Sequence, residues 1–458
     1  MRPWRKVIYL VVGGLLGAAV VACSPHPSPS QGGLAAPLGT VRSGGVATLT
    51  LTPQPSPTPV RPTASPSPVP VRPLATPTLS PGDAKWAFWT SGTRLRGADI
   101  YQRRVFPDLD GTTFLGPGPL GPPYTQADFD ALAAGGANWV NLSVPGLFTV
   151  RPPYRPDPAV VQRVDRLIAM AARAGLWVVL SARTGPGRSE FSILRDGAGD
   201  WFPRSYLVES VWRDAAARQA WAAMWRYTAE RYRGNPAVVG YDLMVEPNAN
   251  DIVDVWDPLT FYARYRGTGY DWNAWYPDLV KGIREVDPDT PVLVGCMGYS
   301  DLEWLPYMQP VKASRVVYTF HQYAPFVYTH QEPDVPVTYP GRFDADEDGE
   351  VETVDRAWLA GLLQTAADFS ARTGAPVAVN ETGVKRWAPG AARFMHDELD
   401  LLESLGINYA VWMWYPAWPP LAEGDHDFNF RLGPDPANRH DVPNALWNTY
   451  RDFWAHHP

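Results

Sequence analysis

Cysteine is scarce in this chain. Its 458 residues include only Cys23 and Cys296, and Cys23 lies ahead of a long proline-rich segment. A disulfide inside the folded part is therefore excluded. Cys296 follows the apolar run PVLVG at 291–295, which indicates a buried strand residue rather than a nucleophile.

Clustered basic charge is also missing. The formal net charge is −7, and no group of Lys and Arg occurs outside the N-terminus. We therefore expect no nucleic-acid partner, since such a surface needs a concentrated basic patch. Aromatic residues are abundant instead, with 20 Trp, 21 Tyr and 16 Phe. Some of these rings could stack on sugars, although most are expected in the core.

The N-terminus has the pattern of an export signal. Arg2, Arg5 and Lys6 precede an uncharged run at 7–22 that is short for a membrane span. The run ends in VVAC at 20–23, which resembles the lipobox of bacterial lipoproteins. That resemblance implies cleavage before Cys23, lipidation of its thiol, and an exported protein anchored to the membrane. An ordinary signal peptide, or an anchor with an incidental Cys, is the alternative.

A tether is predicted next, over residues 23–84. Residues 53–81 contain 11 prolines in 29 positions, and few large apolar residues accompany them. Proline at this density prevents helices and sheet ladders, so the segment should be disordered and extended.

From residue 85 to 458 apolar runs alternate with amphipathic stretches, which is typical of an α/β fold. The pattern favours one (β/α)₈ TIM barrel over two domains. We predict eight strands, at 94–100, 137–144, 176–182, 238–245, 292–296, 315–320, 377–380 and 409–414. The clearest helices are predicted at 158–174, 212–232, 355–372 and 391–405, with weaker ones at 275–286 and 444–454.

Two of these strands are followed by a glutamate. Glu246 ends the tract DLMVE, and Glu381 ends the tract VAVNE. Parallel strands that are buried on both faces have continuous apolar sequences of this kind. In barrel enzymes the catalytic residues lie at the C-terminal ends of the strands. Either residue alone could be a solvated loop side chain. Together they predict a catalytic carboxylate pair.

Several segments resemble glycoside hydrolase family 5, the retaining β-glycanases, from about residue 95 to the C-terminus. The matching segments occur in the family's order: RGADI at 96–100, GANWV at 136–140, GLWVVL at 175–180 with PG at 186–187, YDLMVEP at 241–247, HQY at 321–323, ETG at 381–383 and WMW at 412–414. No single segment is specific, but seven in order are difficult to obtain by chance.

The resemblance implies roles for particular residues. Glu246 looks like the acid/base and Glu381 like the nucleophile of a double displacement. His321 would lie near the acid/base, and Tyr323 would orient the nucleophile. Trp414, with Trp412 as the alternative, would stack under the sugar.

Three positions depart from the family pattern. The family usually has arginine where this chain has Asn141, histidine where it has Arg183, and asparagine where it has Val245, just before the acid/base. Val245 cannot make the sugar 2-hydroxyl contact of that asparagine. Arg183 could replace the charge lost at Asn141, since both positions lie at the mouths of neighbouring strands, and we expect both to contact substrate.

A calcium loop is predicted at 344–355, in DADEDGEVETVD. Oxygen ligands fall at loop positions 1, 3, 5, 7, 9 and 12, with Gly349 at position 6, as in EF-hand loops. The predicted ligands are Asp344, Asp346, Asp348, Glu350 through its carbonyl, Glu352 and Asp355. We expect a structural Ca²⁺ ion here; the alternative is a solvated acidic loop.

The sequence therefore predicts a monomeric, surface-tethered glycoside hydrolase that cleaves a β-linked carbohydrate with retention and without a catalytic cofactor. A catalytically silent glycan-binding barrel and a transglycosylase are the alternatives. The sugar, the linkage and the cleavage mode depend on loop geometry.

Overall fold

The fold is a closed barrel of eight parallel strands. The structure is a computed structural model that describes residues 80–335, 337–420 and 426–456. Around the barrel each strand is hydrogen-bonded to two neighbours in chain order, and the first pairs with the last. The strands are β1 Arg96–Tyr101, β2 Trp139–Pro145, β3 Trp177–Thr184, β4 Val238–Asp242, β5 Val292–Gly295, β6 Val316–Gln322, β7 Val377–Thr382 and β8 Asn408–Val411. The predicted (β/α)₈ barrel is confirmed.

Helices follow the strands on the outside of the barrel. They are α1 Gln126–Ala134, α2 Pro158–Arg173, α3 Ala215–Tyr232, α4 Trp272–Arg284, α5 Arg356–Thr373, α6 Ala391–Ser404 and α7 Ala445–Trp454. Between β5 and β6 a 3₁₀-helix, Leu302–Tyr307, takes the place of an α-helix. Shorter helices lie in the loops, at Pro107–Phe114, Ala249–Ile252, Pro258–Tyr265 and Phe326–Thr329. Within the described ranges, no helix is both long enough and apolar enough to cross a membrane.

A helix occupies the last four residues of the predicted tether. The expected signal segment, Cys23 and the tether up to residue 79 lie outside the described residues. Residues 81–84, assigned to the tether, instead form the first turn of a helix, Pro81–Thr90. Proline is tolerated at this first helical position because the N–H that it lacks would have no hydrogen-bond partner within the helix. The Ser80 hydroxyl accepts a hydrogen bond from the Asp83 N–H.

This first helix closes the N-terminal end of the barrel. Trp89 is buried, and its indole N–H donates to the carbonyl of Val239 at 3.0 Å. It packs against a layer of apolar residues from the strands: Trp139, Val179, Val239, Leu293, Val317, Ala378 and Ala410. The bottom of the barrel is therefore a packed core and not a pore.

A polar layer lies above this apolar layer inside the barrel. Asp99 on β1 is in register with Asn141 on β2, and Ser181 on β3 is in register with Asp242 on β4. The Asn380 amide of β7 donates to the Asp242 carboxylate at 2.9 Å. These fully buried groups bond to one another and support the strand ends above them.

Candidate active site

A cavity opens at the C-terminal ends of the strands. Its walls include six of the predicted catalytic and substrate-binding residues: Arg183, Glu246, His321, Tyr323, Glu381 and Trp412. These residues come from the ends of β3, β4, β6, β7 and β8. The cavity therefore occupies the position at which barrel enzymes bind and convert their substrates.

Glu246 and Glu381 face each other across this cavity. One carboxylate oxygen of each lies within 4.8 Å of the other and of a ring nitrogen of His321. Glu381 lies within β7, where the pairing with β6 shifts register between Val379 and Glu381. Glu246 lies beyond the regular part of β4 with a left-handed φ of 53°. Predicted strand 238–245 thus ends earlier, at Asp242.

His321 contacts both carboxylates, and Tyr323 contacts that of Glu381. Nδ1 of His321 is 3.2 Å from Oε1 of Glu246 and 3.4 Å from Oε2 of Glu381. The Tyr323 hydroxyl donates to Oε2 of Glu381 at 3.3 Å. The two predicted partners of the pair are therefore in contact with it.

Arg183 brings a positive charge to Glu381. Its Nη2 is 3.4 Å from Oε1 of Glu381, and its Nε donates to the Ser143 hydroxyl at 3.0 Å. The guanidinium carbon lies 4.8 Å from the ring centre of Tyr101 and 5.4 Å from that of Trp412. Two aromatic faces thus hold the cation in place. Sequence reasoning missed Tyr101, since a tyrosine ending the first strand carries no motif.

The two carboxyl groups have different affinities for protons. Burial raises the pKa of Glu381 to about 7; Glu246 adds to the rise, and His321 and Arg183 oppose it. Burial also disfavours ionised Glu246, but the hydrogen bond and charge of His321, together with Arg183 and Arg188, lower its pKa overall. Below about pH 7 the pair therefore shares one proton, held mainly by Glu381, and the two groups titrate together.

His321 is influenced by the same carboxylates. Burial alone would lower the pKa of its ring, yet Glu381 and Glu246 outweigh burial and raise it. A charged imidazolium is thereby favoured between two acidic groups.

Asn141 does not reach the cavity, which corrects its predicted role. Its amide donates to Asp99 Oδ1 at 2.7 Å and to the Asn380 carbonyl at 3.0 Å, and its oxygen accepts from the Ser181 hydroxyl at 2.5 Å. The residue is four positions before the end of β2, whereas Arg183 is one before the end of β3. The two residues therefore lie at different depths, and Asn141 belongs to the polar layer beneath the site.

Trp414 also does not reach the cavity; Trp412 does. The Trp414 indole N–H donates to the Asp128 carbonyl at 3.0 Å, and its ring packs against Phe430 and Trp447 outside the barrel. Trp412 lines the cavity beside Tyr101. The structure thus brings Trp412, the alternative of the two tryptophans, to the cavity and places Trp414 away from it.

Val245 is buried in an apolar cluster next to the acid/base candidate. It packs with Ile193, Tyr299 and the partly buried Trp256. Ile193 and Tyr299 continue this surface into the cavity wall. The side of the site near Glu246 is therefore apolar where the family usually places an asparagine.

Three of the predicted calcium ligands converge. One carboxylate oxygen each of Asp344, Asp346 and Asp348 lies within 4.8 Å of the others. Their loop joins two antiparallel segments, Gly341–Phe343 and Glu352–Val354. Gly349 has a φ of 96°, which a residue with a side chain rarely adopts.

The other predicted ligands are placed differently. The Asp355 carboxylate accepts from the N–H groups of Ala357 and Trp358 and so caps α5. Oε2 of Glu352 accepts from the Ala345 N–H at 2.8 Å. Neither of these two carboxylates belongs to the described cluster of three, and the Glu350 carbonyl stays a predicted ligand. Sequence spacing could not show that Asp355 would be used as a helix cap.

The geometry defines a class of protein. Two carboxyl groups about 5 Å apart, one protonated and one ionised, are what a glycosidase needs to cleave with retention of configuration. Inverting glycosidases hold theirs about 6.5–9.5 Å apart. The site is therefore that of a retaining glycosidase barrel.

Comparisons with known proteins agree with this class. The family model described as Cellulase (glycosyl hydrolase family 5) matches residues 107–417. Endoglucanase C of Acetivibrio thermocellus is 22% identical over 350 residues, which cover 69% of this chain and 88% of that protein.

Solved structures show the same fold. Endoglucanase Cel5A of Thermotoga maritima aligns with a TM-score of 0.54 at 17% identity, over 81% of this chain and 100% of that one. A hyperthermophilic endo-β-1,4-glucanase in complex with substrate aligns with a TM-score of 0.55 at 15% identity, over 80% and 99%. The chain belongs to glycosyl hydrolase family 5 and is a retaining β-glycoside hydrolase.

Proposed function

We propose that this protein hydrolyses β-linked glucans by double displacement, with Glu381 as nucleophile and Glu246 as acid/base. The observation that carries the proposal is the approach of the two carboxylates to within 4.8 Å, with His321 between them. The substrate class is supported by relatives that are named endoglucanases.

In the first step a Glu381 oxygen attacks the anomeric carbon while Glu246 gives its proton to the leaving oxygen. The glycosidic C–O bond breaks, and a glycosyl ester of Glu381 forms. Because Glu381 has the higher pKa of the two in the free site, this proton has to move to Glu246 when substrate binds. Arg183 and Tyr323 favour that distribution because both donate to Glu381, and their attraction strengthens when the sugar excludes water.

In the second step ionised Glu246 takes a proton from a water molecule, whose oxygen attacks the same anomeric carbon. The ester bond breaks, and Glu381 leaves as a carboxylate. His321 lies within hydrogen-bond distance of both carboxyl groups and keeps them aligned through both steps. The new hydroxyl has the configuration of the bond that was cleaved.

Trp412 is proposed as the platform under the sugar at the cleavage point. It is one wall of the cavity, and Arg183 lies against its ring. An aromatic face packs well against the apolar C–H face of a pyranose.

A direct test is to follow hydrolysis of soluble β-glucans, mannans, xylans and aryl β-glycosides by NMR. The β-anomer should form first on β-glucans. Glu246→Ala should keep the first step on dinitrophenyl glycosides, which need no protonation, and azide should restore turnover as the β-glycosyl azide. Tight glycan binding without turnover would instead favour the silent-barrel alternative, and products longer than the substrate would favour transglycosylation.

We also propose that the loop at 344–355 holds a structural Ca²⁺ ion through Asp344, Asp346 and Asp348. Three converging carboxylates in a turn that requires Gly349 suit a hard cation with oxygen ligands. Asp346 and Glu352 also line the cavity, so the ion would stabilise one of its walls.

Chelation tests the calcium proposal. The melting temperature should fall on EDTA treatment and rise with added Ca²⁺ by mass action. Asp348→Asn should weaken this response, and Glu347→Gln, which changes a neighbouring charge outside the cluster, should not. The structural role of Ca²⁺ would be refuted if EDTA left the melting temperature unchanged and excess Ca²⁺ did not raise that of metal-stripped protein.

We further propose that Cys23 carries a lipid anchor, with residues 24–79 as the tether. The support is the sequence alone: a basic start, a short apolar run and VVAC at 20–23. Detergent phase partitioning of the full chain should place it with lipoproteins, and Cys23→Ala should abolish this. A soluble exported protein without acyl mass would contradict the anchor.

A further inference from the structure

A tight turn directs Arg188 back under the active site. Gly185 and Arg188 exchange two backbone hydrogen bonds of 3.0 and 2.9 Å just after β3. Pro186 and Gly187 occupy the corner, and Gly187 has a φ of 72°, as the third residue of a type II turn requires. A Cβ added at Gly187 would approach that of Ala217 to 2.8 Å, so the turn is closely packed.

The Arg188 guanidinium joins the ends of two barrel strands. Nη1 donates to the carbonyls of Arg183 and Val245, each at 2.8 Å, and Nη2 donates to the carbonyl of Glu246 at 2.7 Å. The side chain has no solvent exposure. Three carbonyls of the catalytic strand ends are thus held by one rigid, planar group.

The backbone at Glu246 needs such support. Its φ of 53° is uncommon for a residue with a side chain, and Pro247 restricts its conformation further. Strained backbone of this kind persists only where the surroundings over-determine it, and it occurs most often at functional sites. The segment is also held by the Val245 N–H, which donates to the Ala182 carbonyl, and by the Tyr299 N–H, which donates to the Pro247 carbonyl.

We propose that Arg188 is a positioning residue that aims the Glu246 carboxyl group by fixing its backbone, an inference that rests on the proposed acid/base role of Glu246. Burying a guanidinium is costly, and a neutral side chain would connect two strand ends without that cost. The cost is understandable if the geometry of one catalytic group depends on it.

This role has a kinetic signature that simple destabilisation lacks. General acid catalysis contributes about 10²–10⁴-fold and requires the proton to be within hydrogen-bond reach. A displaced Glu246 would therefore penalise substrates whose leaving group needs protonation. It would spare substrates that leave without it, because attack by Glu381 is unaffected.

The test compares kcat/KM for phenyl and 2,4-dinitrophenyl β-cellobiosides in the wild type, Arg188→Lys and Arg188→Met. Lysine keeps the positive charge but lacks the planar guanidinium group that donates to three carbonyls. The matched control is Arg386→Lys, since Arg386 is buried and donates to the carbonyls of His426, Gly433 and Pro436 away from the carboxylate pair. Circular dichroism verifies that each variant is folded at the assay temperature.

Both Arg188 variants should lose about 100-fold on the phenyl glycoside and less than about tenfold on the dinitrophenyl glycoside. The control should lower both activities by the same factor. Equal losses on the two substrates in the Arg188 variants, or no loss, would overturn the proposal.

Crystal structures provide a readout that does not depend on turnover. In Arg188→Met the Glu246 carboxylate should move away from His321, and in Arg386→Lys it should stay. An unmoved Glu246 in Arg188→Met would overturn the positioning role. A wild type that cleaves none of the glycosides would refute the proposed function, and this structural comparison would still decide the role of Arg188.

Discussion

Replacing Arg183 by methionine should shift the pH dependence of hydrolysis. Arg183 Nη2 lies 3.4 Å from Oε1 of Glu381, and the two side chains are only 7% and 4% exposed. Methionine preserves much of the packing against Tyr101 and Trp412, and it removes the charge. The experiment therefore isolates the effect of the cation on the carboxylate pair.

The size of the shift follows from this ion pair. An opposite charge at such a distance lowers a carboxyl pKa by about 1–3 units, or roughly 1.4–4 kcal/mol. Removing the charge raises the pKa. Because Glu246 and Glu381 titrate as a pair, both apparent pKa values should rise. The fall of kcat/KM on the basic side, expected near the pKa of about 7 in the wild type, should move upward with them.

The assay is kcat/KM for phenyl β-cellobioside from pH 4 to 9. Arg183→Met should lose about 10- to 1,000-fold on the acidic side and much less above pH 8. Arg183→Lys should lie between it and the wild type. Arg103→Met, which breaks the buried Arg103–Asp110 ion pair elsewhere, controls for lost stability. The reasoning would be refuted if kcat/KM of Arg183→Met were lower at every pH but its apparent pKa values were those of the wild type.

Two further predictions concern neighbouring residues. In steady-state kinetics, Trp412→Ala should raise KM for glycans about two- to tenfold. In urea titration, Trp414→Ala should reduce the free energy of unfolding by about 3–5 kcal/mol. The reverse pattern would contradict the placement of the two rings. Burial raises the pKa of Glu398 to about 8, so the folded protein retains a proton that the unfolded chain loses above its usual pKa of 4.5. The free energy of unfolding should therefore fall by up to about 1.4 kcal/mol per pH unit between pH 4.5 and 8 because of this group. Glu398→Gln should remove this part of the fall. Equal slopes of unfolding free energy against pH in the wild type and the variant would contradict the prediction.

Much of the barrel could be predicted because its strands are buried on both faces. All eight predicted strand positions overlap observed strands, and both glutamates lie at the expected end. The sequence was a weaker guide where regular pairing stops. β8 ends at Val411, so the alternation of side chains that could have separated Trp412 from Trp414 does not extend to either of them.

Depth within the barrel was a second difficulty. Asn141 and Arg183 both lie on strands that lead to the site, but the depth of each side chain depends on how neighbouring strands are staggered, which an apolar run does not show. Arg188 was missed for a related reason: an arginine after Gly-Pro-Gly reads as a surface turn. Its burial depends on how the turn folds back across β4, a contact between distant parts of the chain.

The central claim is that Glu381 is the nucleophile of a retaining pair, and covalent trapping tests it most directly. Incubation with 2,4-dinitrophenyl 2-deoxy-2-fluoro-β-cellobioside, digestion and peptide mass spectrometry should find the fluorosugar esterified to Glu381. Glu381→Gln should remain unlabelled. A label on Glu246, or rapid release of inverted sugar with no adduct on the wild type, would contradict the account.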